Sequence, residues 1–149
     1  MAKLSDYVKK DKIVCTISKD PEEILNSLVE ITLKDDKDLV EQAKNHLKNK
    51  DVIITLDLGN GFAISHGRIK GLKKIRIGVA VISDSISFEK NKNIRAIFCI
   101  LVPPEKHRIY LSLLAHISRL FLHKEAQDIF SCNNSQNIIS FISKIEAED

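Results

Sequence analysis

From Lys12 to Ile17 the chain is short and rich in β-branched residues, which predicts a strand, and the run stops at Ser18-Lys19-Asp20-Pro21. That stop is also a helix start. Asp20 stands at the N-cap, Pro21 fits the first helical position with its preset φ, and Glu23 can close a capping box. Ile24, Leu25, Leu28, Ile31 and Thr32 then recur at three- and four-residue spacing and line one helical face. After Asp35-Asp36 the period resumes in Leu39, Val40, Ala43 and Leu47, predicting a second helix.

The pattern next changes to that of strands. Val52 to Leu58 and Phe62 to Ile64 flank Gly59-Asn60-Gly61, and Ile75 to Ile82 alternates so that Ile75, Ile77, Val79 and Val81 share a face. Ala96 to Val102 is apolar at every position, as a central strand covered on both sides must be, and ends at Pro103-Pro104. Helical spacing returns from Glu105 to Leu122, with Leu111, Leu114, Ile117 and Phe121 on one stripe and Tyr110 beside it. Shorter helices are predicted at His123 to Phe130 and Ser135 to Ile145. The order β-α-α-β-β-β-β-α-α-α predicts an α/β fold in which a mixed sheet is sandwiched between helices.

With 149 residues and no repeat, low-complexity tract or Pro/Ser-rich linker, the chain reads as a single domain over 1–149, with a core from about 4 to 145. A chain of this length can bury a core without disulfides or structural metal. The net charge of +3 suggests neither a polyelectrolyte nor a histone-like nucleic-acid binder, and one Met with no Trp offers little for stacking single-stranded nucleic acid. Cys15, Cys99 and Cys132 are odd in number and widely spaced, which argues against a disulfide framework and for a reducing cytoplasm. Cys99 is expected to behave as a buried small hydrophobe, and His46, His116 and His123 as solvated, capping or structural residues. The longest apolar run, Ala96 to Val102, falls far short of the roughly 20 residues of a spanning helix, and Met1 to Lys10 lacks an apolar signal core. Secretion and direct membrane insertion are therefore not expected.

Four of the five glycines fall between Gly59 and Gly71. Gly59, Asn60 and Gly61 tolerate positive φ, so they can form a tight turn that another backbone approaches closely, and Gly67 leaves His66 uncrowded. A plain hairpin turn with a surface histidine fits these residues equally well. His107 follows Pro103-Pro104 where the last helix-bound strand ends, and the carboxyl ends of buried strands are where α/β folds place ligands. A neutral imidazole is a nucleophile near neutral pH, and a second can donate a hydrogen bond to anionic oxygens. Arg68 and Lys70 add positive potential, either as solvated loop cations or as docking groups for acidic or phosphorylated material.

The string Leu58-Gly59-Asn60-Gly61-Phe62-Ala63-Ile64-Ser65-His66-Gly67 resembles the active-site signature of enzyme IIA components of the bacterial phosphotransferase system, in the fructose/mannitol and nitrogen-regulatory class. A second signature of that family, a proline four residues before a histidine and then Leu-Leu-Ala, is matched by Pro103, His107 and Leu113-Leu114-Ala115. The resemblance implies that His66 accepts a phosphoryl group from HPr or its nitrogen-branch paralogue, and that His107 helps to hold the phosphoryl oxygens. Gly59, Asn60, Gly61 and Ser65 are implied to shape the site. Lys50 stands where the family usually has a phosphate-binding Arg, Leu56 and Asp57 replace a hydroxyl and a glycine, and Ser65 replaces a proline. The resemblance implies no metal or organic cofactor.

Within that family the chain is expected to be nitrogen-regulatory, its phosphorylation state controlling regulated proteins such as kinases or potassium transport components. The alternatives are a fructose/mannitol-type component that passes phosphate to a cysteine on a separate IIB protein, and a non-catalytic binding module that has lost efficient transfer. A metal site built from His66 and His107 would lack the carboxylate or cysteine that completes a ligand set.

Overall fold

A computed structural model describes residues 3–48, 56–59, 61–88, 91–130 and 135–148. The strand expected first is β1 (Ile13–Thr16), and it leads into α1 (Pro21–Thr32) and α2 (Val40–Lys48). Asp20 caps α1 by accepting from the Glu22 N–H at 3.1 Å, but its own N–H donates to Ser18 Oγ at 3.2 Å, where the sequence had suggested Glu23. Four strands follow: β2 (Leu56–Gly59), β3 (Phe62–Arg68), β4 (Arg76–Phe88) and β5 (Asn91–Val102). They precede α3 (His107–Leu120), the single-turn α4 (Ala126–Ile129) and α5 (Ser135–Glu148), so the element order is the one the hydrophobic pattern predicts. Most of the expected strand from Val52 lies outside the described residues.

The five strands form one mixed sheet in the order β1-β4-β5-β3-β2, which puts the continuously apolar strand at the centre. β1 runs parallel to β4 and β3 parallel to β5, while β4 with β5 and β2 with β3 are antiparallel. Alternation divides the side chains between two cores. Phe62, Ile64, Ile77, Val79, Phe98 and Ile100 pack with Leu113 and Ile117 of α3 and Phe141 and Ile142 of α5. Ala63, Ala80, Ile97, Cys99 and Leu101 pack on the other face with Leu28 and Val29 of α1 and Ala43 and Leu47 of α2. Cys99 is fully buried, and burial pushes its thiol up to about 12. Cys15, exposed on edge strand β1, is disulfide-bonded, which the cysteine spacing did not predict.

The strands β3, β4 and β5 are longer than their apolar stretches. Backbone pairing carries the β4–β5 hairpin on to Ile86↔Ile94 and Phe88↔Asn91, through residues such as Ser83 and Asp84 that show no apolar period. The extension contains an irregularity. Arg95 and Ala96 both donate their N–H to the Gly61 carbonyl, at 2.6 and 3.2 Å, and Asn93 has φ 58°. The extra residue reverses the alternation, so Ile94 joins the α1–α2 core whereas Ala96 joins the α3–α5 core.

Candidate functional site

His66 lies within β3, not in a loop after it. It is opposite Ile100 of parallel β5, and the pairing continues through Arg68↔Val102 and an Ile69 N–H to Val102 carbonyl bond of 2.9 Å. Both strands therefore end at the same side of the sheet. There β5 turns through Pro103 and Pro104, with the Lys106 N–H bonded to the Pro103 carbonyl at 3.0 Å, and α3 begins at His107. The period of two sets His66 on the face of Phe62 and Ile64, toward α3.

Tyr110, three positions into α3 from His107 and thus on the same side of the helix, links the two histidines. Its ring lies 4.7 Å from the His66 ring at 29° to it, and 5.8 Å from the His107 ring at 38°. Tyr110 is buried, His66 half-buried and His107 exposed. Burial raises the Tyr110 phenol above its ordinary value, so it remains neutral at neutral pH. A ring stacked on an imidazole restricts its tilt and leaves the edge nitrogens as the reactive positions.

The charges that flank this pair in the chain are mostly positive, with Glu105 ahead of α3 the exception. The first turn of α3 contains no acidic residue and Lys106 makes no side-chain cap bond, so the dipole's positive end is not screened from within the helix. Arg68, Lys70 and Arg108 are exposed nearby in the chain. Such an end can attract anionic oxygens, as helix starts do generally.

Of the remaining residues implied by the signature, Gly59, Gly61 and Ser65 are described and lie away from the His66 ring. Gly59 ends β2 and Gly61 directly precedes β3, so at the strand rise Gly61 is about 16 Å from His66 along β3. Its amides are not beside the imidazole. Gly61 instead has φ 88°, and an added Cβ would stand 2.9 Å from the Asn93 carbonyl oxygen, the close backbone approach expected of the glycine turn. Ser65, expected to shape the histidine site, projects from the opposite face of β3 as alternation requires, and is 1% exposed among the α1–α2 elements. Lys50 and Asn60 lie outside the described residues. Arg68 and Lys70 are exposed beyond His66, and the Lys70 carbonyl accepts from Gln42 Nε2 at 2.9 Å.

Tyr110 is the residue that sequence reasoning missed. It read as the neighbour of an apolar stripe, although its spacing from His107 was the available signal. His46, expected to be solvated or capping, is half-buried on α2 against Gly67, where an added Cβ would meet its Cδ2 at 3.1 Å. His116 does act structurally: its Nδ1 lies 3.0 Å from Glu146 Oε2. Among the described residues no helix is long and apolar enough to cross a membrane.

The model of the phosphoenolpyruvate-dependent sugar phosphotransferase system EIIA 2 family matches residues 6–145. Two of the solved structures that share the fold illustrate the likeness. The nitrogen regulatory protein IIA-Ntr from Neisseria meningitidis superposes with a TM-score of 0.82 at 16% identity, covering 93% of this chain and 98% of that one. The mannitol-specific cryptic phosphotransferase enzyme IIA CmtB from Escherichia coli gives 0.70 at 17% identity, covering 96% and 99%. The search of curated proteins by sequence returns no match. The chain belongs to the EIIA 2 family, and its fold is that of phosphotransferase-system IIA proteins.

Proposed function

We propose that this EIIA 2 family member carries a phosphoryl group on His66, received from the phosphohistidine of an HPr-type donor. The observation that carries the reading is the stacking of His66 on Tyr110 with His107 against the same ring, at the uncapped start of α3. The lone pair of an unprotonated His66 nitrogen attacks phosphorus, an N–P bond forms, and the donor's N–P bond breaks with its electrons returning to the donor imidazole. Phosphoryl transfer of this kind has a loose transition state, so alignment and stabilisation of oxygen charge are what a protein can supply. Tyr110 aligns the acceptor; His107 and the α3 amides stabilise the oxygens. Reverse transfer to a recipient uses the same groups.

For the recipient we take the nitrogen-regulatory reading, in which phosphorylation state alters binding to regulated proteins. The fold is common to the nitrogen regulatory protein IIA-Ntr and the mannitol-specific enzyme IIA, so the choice of recipient rests on the assay below. The sugar-specific reading requires a cysteine on a IIB protein as recipient instead. The test is intact-mass analysis without acid after incubation with phosphoenolpyruvate, enzyme I and an HPr-type carrier. One acid-labile phosphoryl group on the wild type and none on His66→Ala supports the carrier. Its absence from both, with an active donor chain, leaves only the non-catalytic module. Discharge to IIB cysteines from fructose- or mannitol-type systems would replace the regulatory reading by the sugar-specific one.

A further inference from the structure

Directly behind β3, α1 and α2 frame an open cleft of about 470 Å³, within the size range of small-molecule sites. Ser65 of β3 is in its wall. The Ser65 hydroxyl is buried yet has no hydrogen-bond partner among the described residues, although buried polar groups are ordinarily paired. A polar ligand atom would satisfy it.

The rest of the lining specifies the ligand. Leu25, Val29 and Leu47 supply an apolar surface, and Asn26 and Asn45 supply amides that can donate or accept. Glu22 on α1 and Lys44 on α2 both line the cleft, so opposite charges are present on the two helices. Lys44 is held by Glu30 at 2.7 Å and by Glu41 at 3.7 Å, which keep it protonated and offset its charge. Glu22 has no ion-pair partner among the described residues. Among the described residues the lining therefore holds two carboxylates, Glu22 and Glu41, against one cation, Lys44, which disfavours phosphate esters and favours an ammonium group.

We propose that this cleft binds a small zwitterion of the free α-amino acid class, its ammonium group on Glu22 and its carboxylate near Lys44 and the Asn26 and Asn45 amides, with a polar atom on Ser65. The site is independent of phosphoryl transfer at His66. The two sites lie on opposite faces of β3, at the neighbouring residues Ser65 and His66.

The test uses the full chain, isotope-labelled, with no phosphoryl donor. Free α-amino acids are titrated singly, with putrescine and glucose 6-phosphate as charge controls, and the Ser65, Asn26 and Asn45 amide signals are followed up to about 10 mM, a very weak affinity. The expected result is saturable shifts with at least one amino acid, weakened about tenfold in Glu22→Gln, equivalent to about 1.4 kcal/mol, and reduced in Ser65→Ala. Three outcomes would overturn the proposal: no shift with any amino acid, equal binding in both variants, or preferential binding of glucose 6-phosphate. Both substitutions are conservative in volume, so retained spectra verify the fold in the same experiment.

Discussion

The Tyr110 ring lies 4.7 Å from the His66 ring and only 29° from parallel, so a side chain anchored in the α3–α5 core forms the floor beneath the imidazole. On the proposed reading, what supports His66 is thus ring area, not the phenol's oxygen. Tyr110→Phe is expected to keep phosphorylation within about threefold of wild type, whereas Tyr110→Leu, which removes the ring but retains bulk, is expected to slow it about tenfold, the scale of one aromatic contact. Rapid-quench labelling of both variants checks this. Equal rates for Phe and Leu would remove the positioning role.

Substitution of the histidines separates acceptor from assistant. His66→Ala is expected to abolish labelling with an unchanged circular dichroism spectrum, because the half-buried ring contributes little to the core. His107→Ala should still accept one phosphoryl group but about 10- to 100-fold more slowly, the effect of losing an oxyanion donor. A time course by intact mass distinguishes them.

Gly61 is tied to β5 and not to the reacting ring. Gly61→Ala combines a strained φ with a Cβ contact of 2.9 Å, so it should cost about 1–3 kcal/mol of stability. Labelling below the lowered transition temperature is expected to persist. Loss of labelling in a folded Gly61→Ala protein would restore the glycine turn to the site.

Glu146 fastens the two termini of the fold. Burial raises its pKa, but the N–H groups of Ser5 and Leu4, and His116, outweigh burial and leave it below the ordinary glutamate value. A depressed folded pKa stabilises the protein fully above the unfolded value, about pH 4.3, and the contribution is lost as pH falls through the folded one. Urea melts of wild type and Glu146→Gln from neutral pH to pH 3 should therefore converge in acid. A gap independent of pH would place the effect elsewhere.

The period-two and helical patterns made the element order legible, and Asp20-Pro21 marked the start of α1 correctly. The hairpin extension was not read, although Ser85-Ile86-Ser87-Phe88 alternates: Asp84 interrupts the apolar face after Ile82, and the backbone hydrogen bonds that continue the pairing are indifferent to side-chain polarity. The site was read as a motif, which lists residues in order but does not say which way each faces. His66 and Ser65 are adjacent in that motif, and strand geometry turns them to opposite sides of the sheet. Tyr110 has two roles, core ring and imidazole floor, and its place in an apolar stripe revealed only the first.

The parallel pairing of β3 with β5 has a kinetic consequence. β4 intervenes in the chain, and β5 can close onto β4 as a local hairpin, whereas β3 must find β5 across a crossover. Sequence-distant pairings are the slow ones to form. His66 meets the Tyr110 ring only when β3 and β5 are in register, so a chain that has not made that pairing lacks the stacked pair. The stacking on which the proposed transfer relies is thus a property of the completed sheet alone.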